Sequence, residues 1–424
     1  MKNFKDSGIE WLGEIPQHWD IVPIRYCFNE FNVRCNDNNY PLLSVTIANG
    51  VVYQNDITNK KDTSNDDKSN YKIVPIGAIA YNKMRMWQGA VGINMLEKGI
   101  VSPAYIVAIP NKQINISFSY YLLKSKNMIS EYEKYSYGLC SDMNNLRYED
   151  FQNIKIPLPP LKEQEQITNF LDEKCEQIKN FIEKKEKLIT LLKEQKQAFI
   201  NEAITKGLDK NVNFKDSGIE YLGEIPQHWK VVKINKMVTF VNGYAFENFD
   251  FNPTFEIPVI RIGDIQKEKI LYNNCLKTKE KEKLKQFLIS NNDILIALSG
   301  ATTGKIAFCD TDNKAYINQR VAIVRSKLKL VKYYFLTRGF SLLIELACNG
   351  SAQPNISIKE IGEFKIPLPP LKEQEQITNF LDEKCKKIDL LIEKTEKQIK
   401  LIKEYKTTLI NQAVCGRRII YAKI

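Results

Sequence analysis

Apolar residues recur on an alternating three-and-four spacing in two separate stretches of this chain. In residues 161–204 they are Leu171, Cys175, Ile178, Ile182, Ile189, Leu192, Phe199 and Ala203, and the stretch holds no Pro or Gly. The register returns at Leu381, Cys385, Ile388, Ile392, Ile399, Ile402, Leu409 and Ala413. Such spacing is the seam of a coiled coil and predicts two long helices. Prolines 157, 159 and 160, and again 367, 369 and 370, hold an extended entry to each helix, and Gly207 and Gly416 mark the ends. About 40 helical residues make a rod about 60 Å long. Matching seams should pair. Because the chain between them must travel away and return, an antiparallel pair within one chain is favoured. Heptads alone do not fix direction, and a coiled coil between two copies of the chain is the competing reading.

Between the helices the periodicity shortens. Apolar β-rich runs at 42–46, 76–81 and 100–109, then at 257–262, 293–298 and 321–324, are separated by Asn/Asp/Gly loops. Helical patterns follow at 118–135 and 330–348. The predicted fold class is α+β, with two compact mixed domains separated by two long helices that pair antiparallel within the chain, as a pseudo-twofold repeat. The expected boundaries are 1–154 and 213–364 for the compact domains, each with a frame segment at its start, and 155–212 and 365–424 for the repeats carrying the helices.

The repeat is explicit. Residues 3–19 (NFKDSGIEWLGEIPQHW) return at 213–229 with one change, Trp11 to Tyr221, and residues 155–175 (KIPLPPLKEQEQITNFLDEKC) return unaltered at 365–385. The inserts between, 20–154 and 230–364, match in length and share little sequence. A fixed frame suggests one partner bound twice, and unlike inserts suggest two different things being read.

Composition narrows the class. The chain has 424 residues, 43% of them apolar, which supports ordinary cores in two to three domains. Its longest apolar runs are too short to span a bilayer and its first residues lack an apolar secretory core, so a cytoplasmic protein is expected. Nine cysteines without a CxxC pair give no disulfide or zinc framework and are expected to be reduced core residues. The two histidines, His18 and His228, are one repeat position counted twice, which favours a packing or capping role over catalysis. The formal charge of +11 is uneven: the first insert has 14 Lys/Arg against 13 Asp/Glu, the second 20 against 13. A basic balance invites a polyanion without proving one.

Three segments carry candidate chemistry. Residues 299–305, SGATTGK, form a Gly-rich turn ending in Lys. They are not a Walker A loop, since Gly300 and Gly304 are one residue too close and Ile306 stands where Ser or Thr would hold magnesium. A backbone-amide and lysine contact to a DNA phosphate is the expectation for Ser299, Thr302, Thr303 and Lys305. At the corresponding place in the first insert, residues 81–92 (YNKMRMWQGAVG) gather Asn82, Lys83, Arg85, Trp87 and Gln88. Arg, Asn and Gln can make paired hydrogen bonds to guanine or adenine edges, so the loop suits base readout, although a solvated hairpin with a half-buried Trp would look the same. Asn318, Gln319 and Arg320 repeat this donor set; polar loops at 138–145 and 350–355 run back toward the helices, and Gln353 and Asn355 in the second are weaker candidates. No methyltransferase, cofactor, zinc-protease or nucleophile-elbow motif occurs in the sequence.

These residues carry a family likeness. IPLPPLKEQEQI followed by a long helix, occurring twice, with SGATTGK and INQRVAI inside an insert, resembles the specificity subunit of type I restriction-modification systems over essentially the whole chain. The resemblance implies that each insert is a target recognition domain reading one half of a split, asymmetric site in double-stranded DNA, while the helices fix the distance between halves. It implies two methyltransferase (modification) subunits docked on the repeated frame, for which Lys162, Glu163, Gln164, Glu165 and Gln166 and their copies Lys372, Glu373, Gln374, Glu375 and Gln376 are identical candidates. Motor-nuclease (restriction) subunits would join for cleavage. No catalytic residue, metal or cofactor is expected in this chain, with S-adenosylmethionine, ATP and magnesium on the partners. Competing with it are a two-headed coiled-coil scaffold that binds proteins or glycans without nucleic acid, and a self-sufficient nuclease or methyltransferase.

Overall fold

The structure, a computed structural model, describes residues 3–35, 40–57, 67–138, 144–266, 268–309, 313–348 and 354–417. Gln353 and most of the loops at 138–145 and 350–355 lie outside the described residues. The chain divides into two units, Met1–Glu186 with Glu396–Ile424, and Lys187–Thr395.

In each unit the first strand of the insert, directly after one repeated segment, pairs with the start of the other repeated segment. Asp20–Pro23 lies antiparallel to Lys155–Leu158, and Lys230–Lys233 to Lys365–Leu368 in the same register. Hairpins Phe4–Asp6/Glu14–Pro16 and Phe214–Asp216/Glu224–Pro226 precede them. Segments distant in sequence are thus strand partners, which brings the two repeated segments of each unit side by side.

The first insert builds a four-stranded antiparallel sheet from β1 (Phe28–Glu30), β2 (Ile79–Asn82), β3 (Val91–Ile93) and β4 (Tyr105–Pro110), in the order β1-β4-β2-β3. Helix α1 (Lys126–Lys134) follows, then α2 (Leu161–Lys206). The second insert builds β5 (Thr239–Asn242), β6 (Ile294–Ala297), β7 (Ile306–Phe308) and β8 (Val321–Arg325) in the order β5-β8-β6-β7, followed by α3 (Arg338–Cys348) and α4 (Leu371–Val414). Two sequences with little in common therefore make one topology.

Both expected helical runs are broken in two. Helix Ile116–Leu123 stops before Ser125, whose hydroxyl accepts the Met128 N–H and starts α1. Likewise Val331–Phe335 ends before Thr337, whose hydroxyl accepts the Phe340 N–H. The run at 100–109 splits into Gly99–Val101 and β4, because Pro103 has no N–H to offer a ladder.

The seams close inside the chain. In the first unit Leu171 and Ile178 of α2 share one core with Leu409 and Ala413 of α4, with Ile182 and Ile402 against it. In the second unit Ile200, Ala203 and Ile204 of α2 meet Leu381 and Cys385 of α4, the Phe199 ring stands edge-on to Phe380 at 6.1 Å, and Lys196 pairs with Asp389 at 2.9 Å. The start of each helix meets the end of the other. The pairing is antiparallel and intramolecular, so the seam is not left for a second copy of the chain.

Candidate nucleic-acid interface

β2 ends at Asn82, opposite Tyr105 at the start of β4. The Asn82 side-chain oxygen accepts the Met84 N–H at 3.0 Å and its carbonyl accepts the Arg85 N–H, which turns the chain. One 3-10 turn, Met86–Gln88, then closes on Gly89 at φ 87°. Met86 is buried beneath it, and the half-buried Trp87 donates its indole N–H to the Met84 carbonyl at 3.1 Å. Lys83 is half-buried and its carbonyl accepts the Leu146 N–H. Arg85 and Gln88 are exposed. The backbone and the Trp are occupied in holding the turn, and Arg85 and Gln88 are its exposed forked donors.

The loop after β6 occupies the same place in the second sheet. Gly304 donates its N–H to Ala297, Lys305 to Thr302, Thr303 to Gly300, and Gly300 to Pro354. The Thr303 hydroxyl donates to the Gly300 carbonyl at 2.7 Å and lies 3.1 Å from that of Pro354, while the Thr302 hydroxyl reaches the Ser299 carbonyl at 3.4 Å. These four amides are spent within the fold, so the loop does not present them as the phosphate cradle its glycines suggested. Ser299 is half-buried with its hydroxyl enclosed, whereas the Lys305 side chain is exposed.

Pairing of β6 with β8, Ala297 opposite Val321, sets the 318–320 turn beside this loop, and the Leu298 N–H donates to the Arg320 carbonyl at 2.9 Å. Asn318 is half-buried, with its N–H on the Ile260 carbonyl; Gln319 and Arg320 are exposed. Gly243 passes so close that a Cβ there would lie 2.1 Å from the Asn318 carbonyl oxygen. The structure thus brings 299–305 and 318–320 together at one end of the sheet. It adds Arg261, which the sequence reading missed. Strand Ile257–Ile260 runs parallel to Tyr316–Ile317, so Arg261 emerges beside Asn318, braced by Asp264 at 3.3 Å and the Asn274 carbonyl at 3.1 Å. A forked donor directly after an apolar run was the available signal. In the first unit the turn before β4, residues 102–104, carries no forked donor.

The frame candidates divide. Glu163, in the first turn of α2, lies 2.6 Å from His18 Nε2 and accepts the Trp19 indole N–H at 3.0 Å; Glu373 repeats this with His228 at 2.6 Å and Trp229 at 2.9 Å. A carboxylate there also suits the unpaired N–H groups of a helix start. The histidines are clamps between the two frame segments. Gln164 and Gln374 are not surface residues as expected but are buried. Gln164 donates to the Pro159 and Gln113 carbonyls and accepts the Asn115 N–H, and Gln374 donates to Pro369, because the proline entry needs its carbonyls satisfied. Lys162, Gln166, Lys372 and Gln376 are exposed, as are Glu165 and Glu375.

Among the described residues no group of His, Cys, Asp and Glu could hold a metal, and no helix is long and apolar enough to cross a membrane. None of the eight described cysteines forms a disulfide, and burial pushes the thiols of Cys27 and Cys415 up to about 11 and that of Cys275 up to about 12.

The family model for the type I restriction modification DNA specificity domain matches this chain twice, at residues 19–193 and 226–401. Over 441 residues the chain is 28% identical to the type I restriction enzyme MjaVIII specificity subunit of Methanocaldococcus jannaschii, covering 98% of this chain and 96% of that protein. Among solved structures, a chain from a study of complex assembly and conformational transition of the type I R-M system superposes with a TM-score of 0.72 at 16% identity, over 94% of this chain and 98% of the other. The HsdS subunit from Thermoanaerobacter tengcongensis gives 0.55 at 17%, over 97% and 100%. These likenesses show the same fold.

Proposed function

Because the chain belongs to the type I restriction modification DNA specificity domain family, we propose that it is the non-catalytic, DNA-reading subunit of a type I restriction-modification complex. One observation carries the reading: the same four-stranded sheet occurs twice inside a nearly unchanged frame and ends in two unlike loops that present forked donors. Each insert, within 1–154 and 213–364, reads one half of a bipartite, asymmetric duplex site. Arg85 and Gln88, with Asn82, address base edges of one half; Gln319 and Arg320, with Asn318, address the other. Lys83 and Lys305 meet phosphates, which supply affinity and register, while each paired base contact adds discrimination of about 1–3 kcal/mol. Thr302, Thr303 and Ser299 shape the second loop.

The helices of the 155–212 and 365–424 repeats set the distance between half-sites. Two methyltransferase subunits dock on the repeated frame through Lys162, Gln166, Lys372 and Gln376, and motor-nuclease subunits join them, all in the cytoplasm. The adenine chemistry, with S-adenosylmethionine, ATP and magnesium, belongs to those partners. Selection from a random duplex library by the chain co-purified with its methyltransferase tests this. Enrichment of two unlike half-sites at a fixed separation, with affinity falling as salt rises, is the expected result. Recovery of no shared sequence overturns it.

A further inference from the structure

Each reading loop is backed by a short helix, and each short helix is gripped by an asparagine of a long one. In the first unit Asn411, near the end of α4, accepts the N–H of Lys126, the first residue of α1, at 3.1 Å. Three residues on, Ile129 presses on the reading turn: a Cβ on Gly89 would lie 2.8 Å from Ile129 Cδ1. Lys124 adds a second tie, donating to the Gly89 carbonyl at 3.3 Å and the Ile47 carbonyl at 2.5 Å. In the second unit Asn201, near the end of α2, accepts the N–H of Arg338, the first residue of α3, at 3.0 Å. Ile344 presses on Gly304, where a Cβ would lie 2.6 Å from its Cγ2.

Asn201 and Asn411 are one repeat position, whereas α1 and α3 have no sequence in common. The same relay, from asparagine to helix start to isoleucine to left-handed glycine, has been met by two unlike inserts. Glycine is the residue that permits it, because both turns have positive φ and both leave the isoleucine the space of a Cβ.

Resting on the reading function above, we propose that Asn411 and Asn201 are positioning residues that seat the reading loops, each acting on the insert that its own helix does not follow in sequence. Asn201 lies on the helix that begins after the first insert, yet it sets the loop of the second; Asn411 lies beyond the second insert and sets the loop of the first. A helix N–H has no partner within its own first turn, so the long helix supplies the missing acceptor and fixes where the short helix starts. Base readout depends on placement within about half an ångström, and the packed isoleucine carries the position of the helix start to the loop.

The test uses the chain with its methyltransferase partner, reading N6-methyladenine across the host genome for wild type, N411A, N411D, N201A and N201D. Exchange of insert 20–154 identifies the half-site it reads. N411A should relax that half-site roughly five-fold, the loss of one cap, and leave the other half unchanged. N201A should relax only the other half. The aspartate variants should restore both, since a carboxylate oxygen accepts the same N–H. Should the alanine variants assemble poorly, Ile129→Val and Ile344→Val draw back one methyl and should relax the same halves respectively. Relaxation of the opposite half, of both halves equally, or of neither in complexes that assemble normally overturns the inference while leaving the reading function standing. A wild-type complex that leaves no split motif overturns both.

Discussion

Replacing Glu163 by alanine removes the acceptor that ties both frame segments of the first unit together. Trp19 is only 2% exposed, so its indole N–H loses a partner that water replaces poorly, at about 1–3 kcal/mol. Losing the anion from the first turn of α2 adds about 0.3–1 kcal/mol. The His18 side chain is 48% exposed and is rehydrated at little cost. The sum is about 1–4 kcal/mol, or a fall of roughly 3–16 °C in the melting of a unit this size. Differential scanning calorimetry of the full chain measures it. Because Trp229 and Glu373 reproduce the geometry, with the indole fully buried, Glu373→Ala should cost the same within about 1 kcal/mol. Glu163→Gln, which keeps an oxygen for the indole, should cost less than half. Melting of Glu163→Ala within one degree of wild type would refute the clamp.

Arg320→Ala should weaken discrimination at one half-site by about 1–3 kcal/mol and leave the other intact; a uniform loss across sequences, with a shallower salt slope, would mark a phosphate contact instead. Leu381→Ala empties a fully buried seam position and should lower stability by about 3–5 kcal/mol in urea unfolding, against no change if the seam were exposed. The Glu360 carboxylate accepts the N–H and hydroxyl of Ser357, which holds its pKa below the usual 4.5. A depressed carboxylate stabilises fully above its unfolded value and loses that contribution as pH falls through its folded one, so helix Ile358–Glu363 should begin to fray as pH drops below about 4.5 in amide NMR, and Glu360→Gln should flatten the effect.

The long helices were legible because a heptad pattern is local: sixteen seam positions could be named, and the described ones are buried or half-buried. Strand centres were legible for the same reason. Breaks were not, since the stops at Ser125 and Thr337 depend on a hydroxyl capping the next helix, which a run of helix-favouring residues conceals. In the site, exposure separated residues that composition could not. Arg85, Gln88, Gln319 and Arg320 are exposed, whereas Gln164 and Gln374 turn inward to carbonyls of a proline-bound entry invisible to periodicity. Thr303 looked like a phosphate ligand because Gly-Lys spacing suggests one; its hydroxyl and the neighbouring amides serve the loop itself. Arg261 was missed because its neighbour Asn318 is nearly sixty residues away and the parallel pairing that joins them leaves no sequence trace.

Whether each insert reads one half of a split DNA site while the frame serves the partner is decided by N6-methyladenine sequencing of a host expressing the chain with its methyltransferase, before and after insert 230–364 is exchanged. A two-part asymmetric motif is expected, of which one side changes while the other side and the separation stay fixed. Change on both sides, or no motif from an assembled complex, would contradict it.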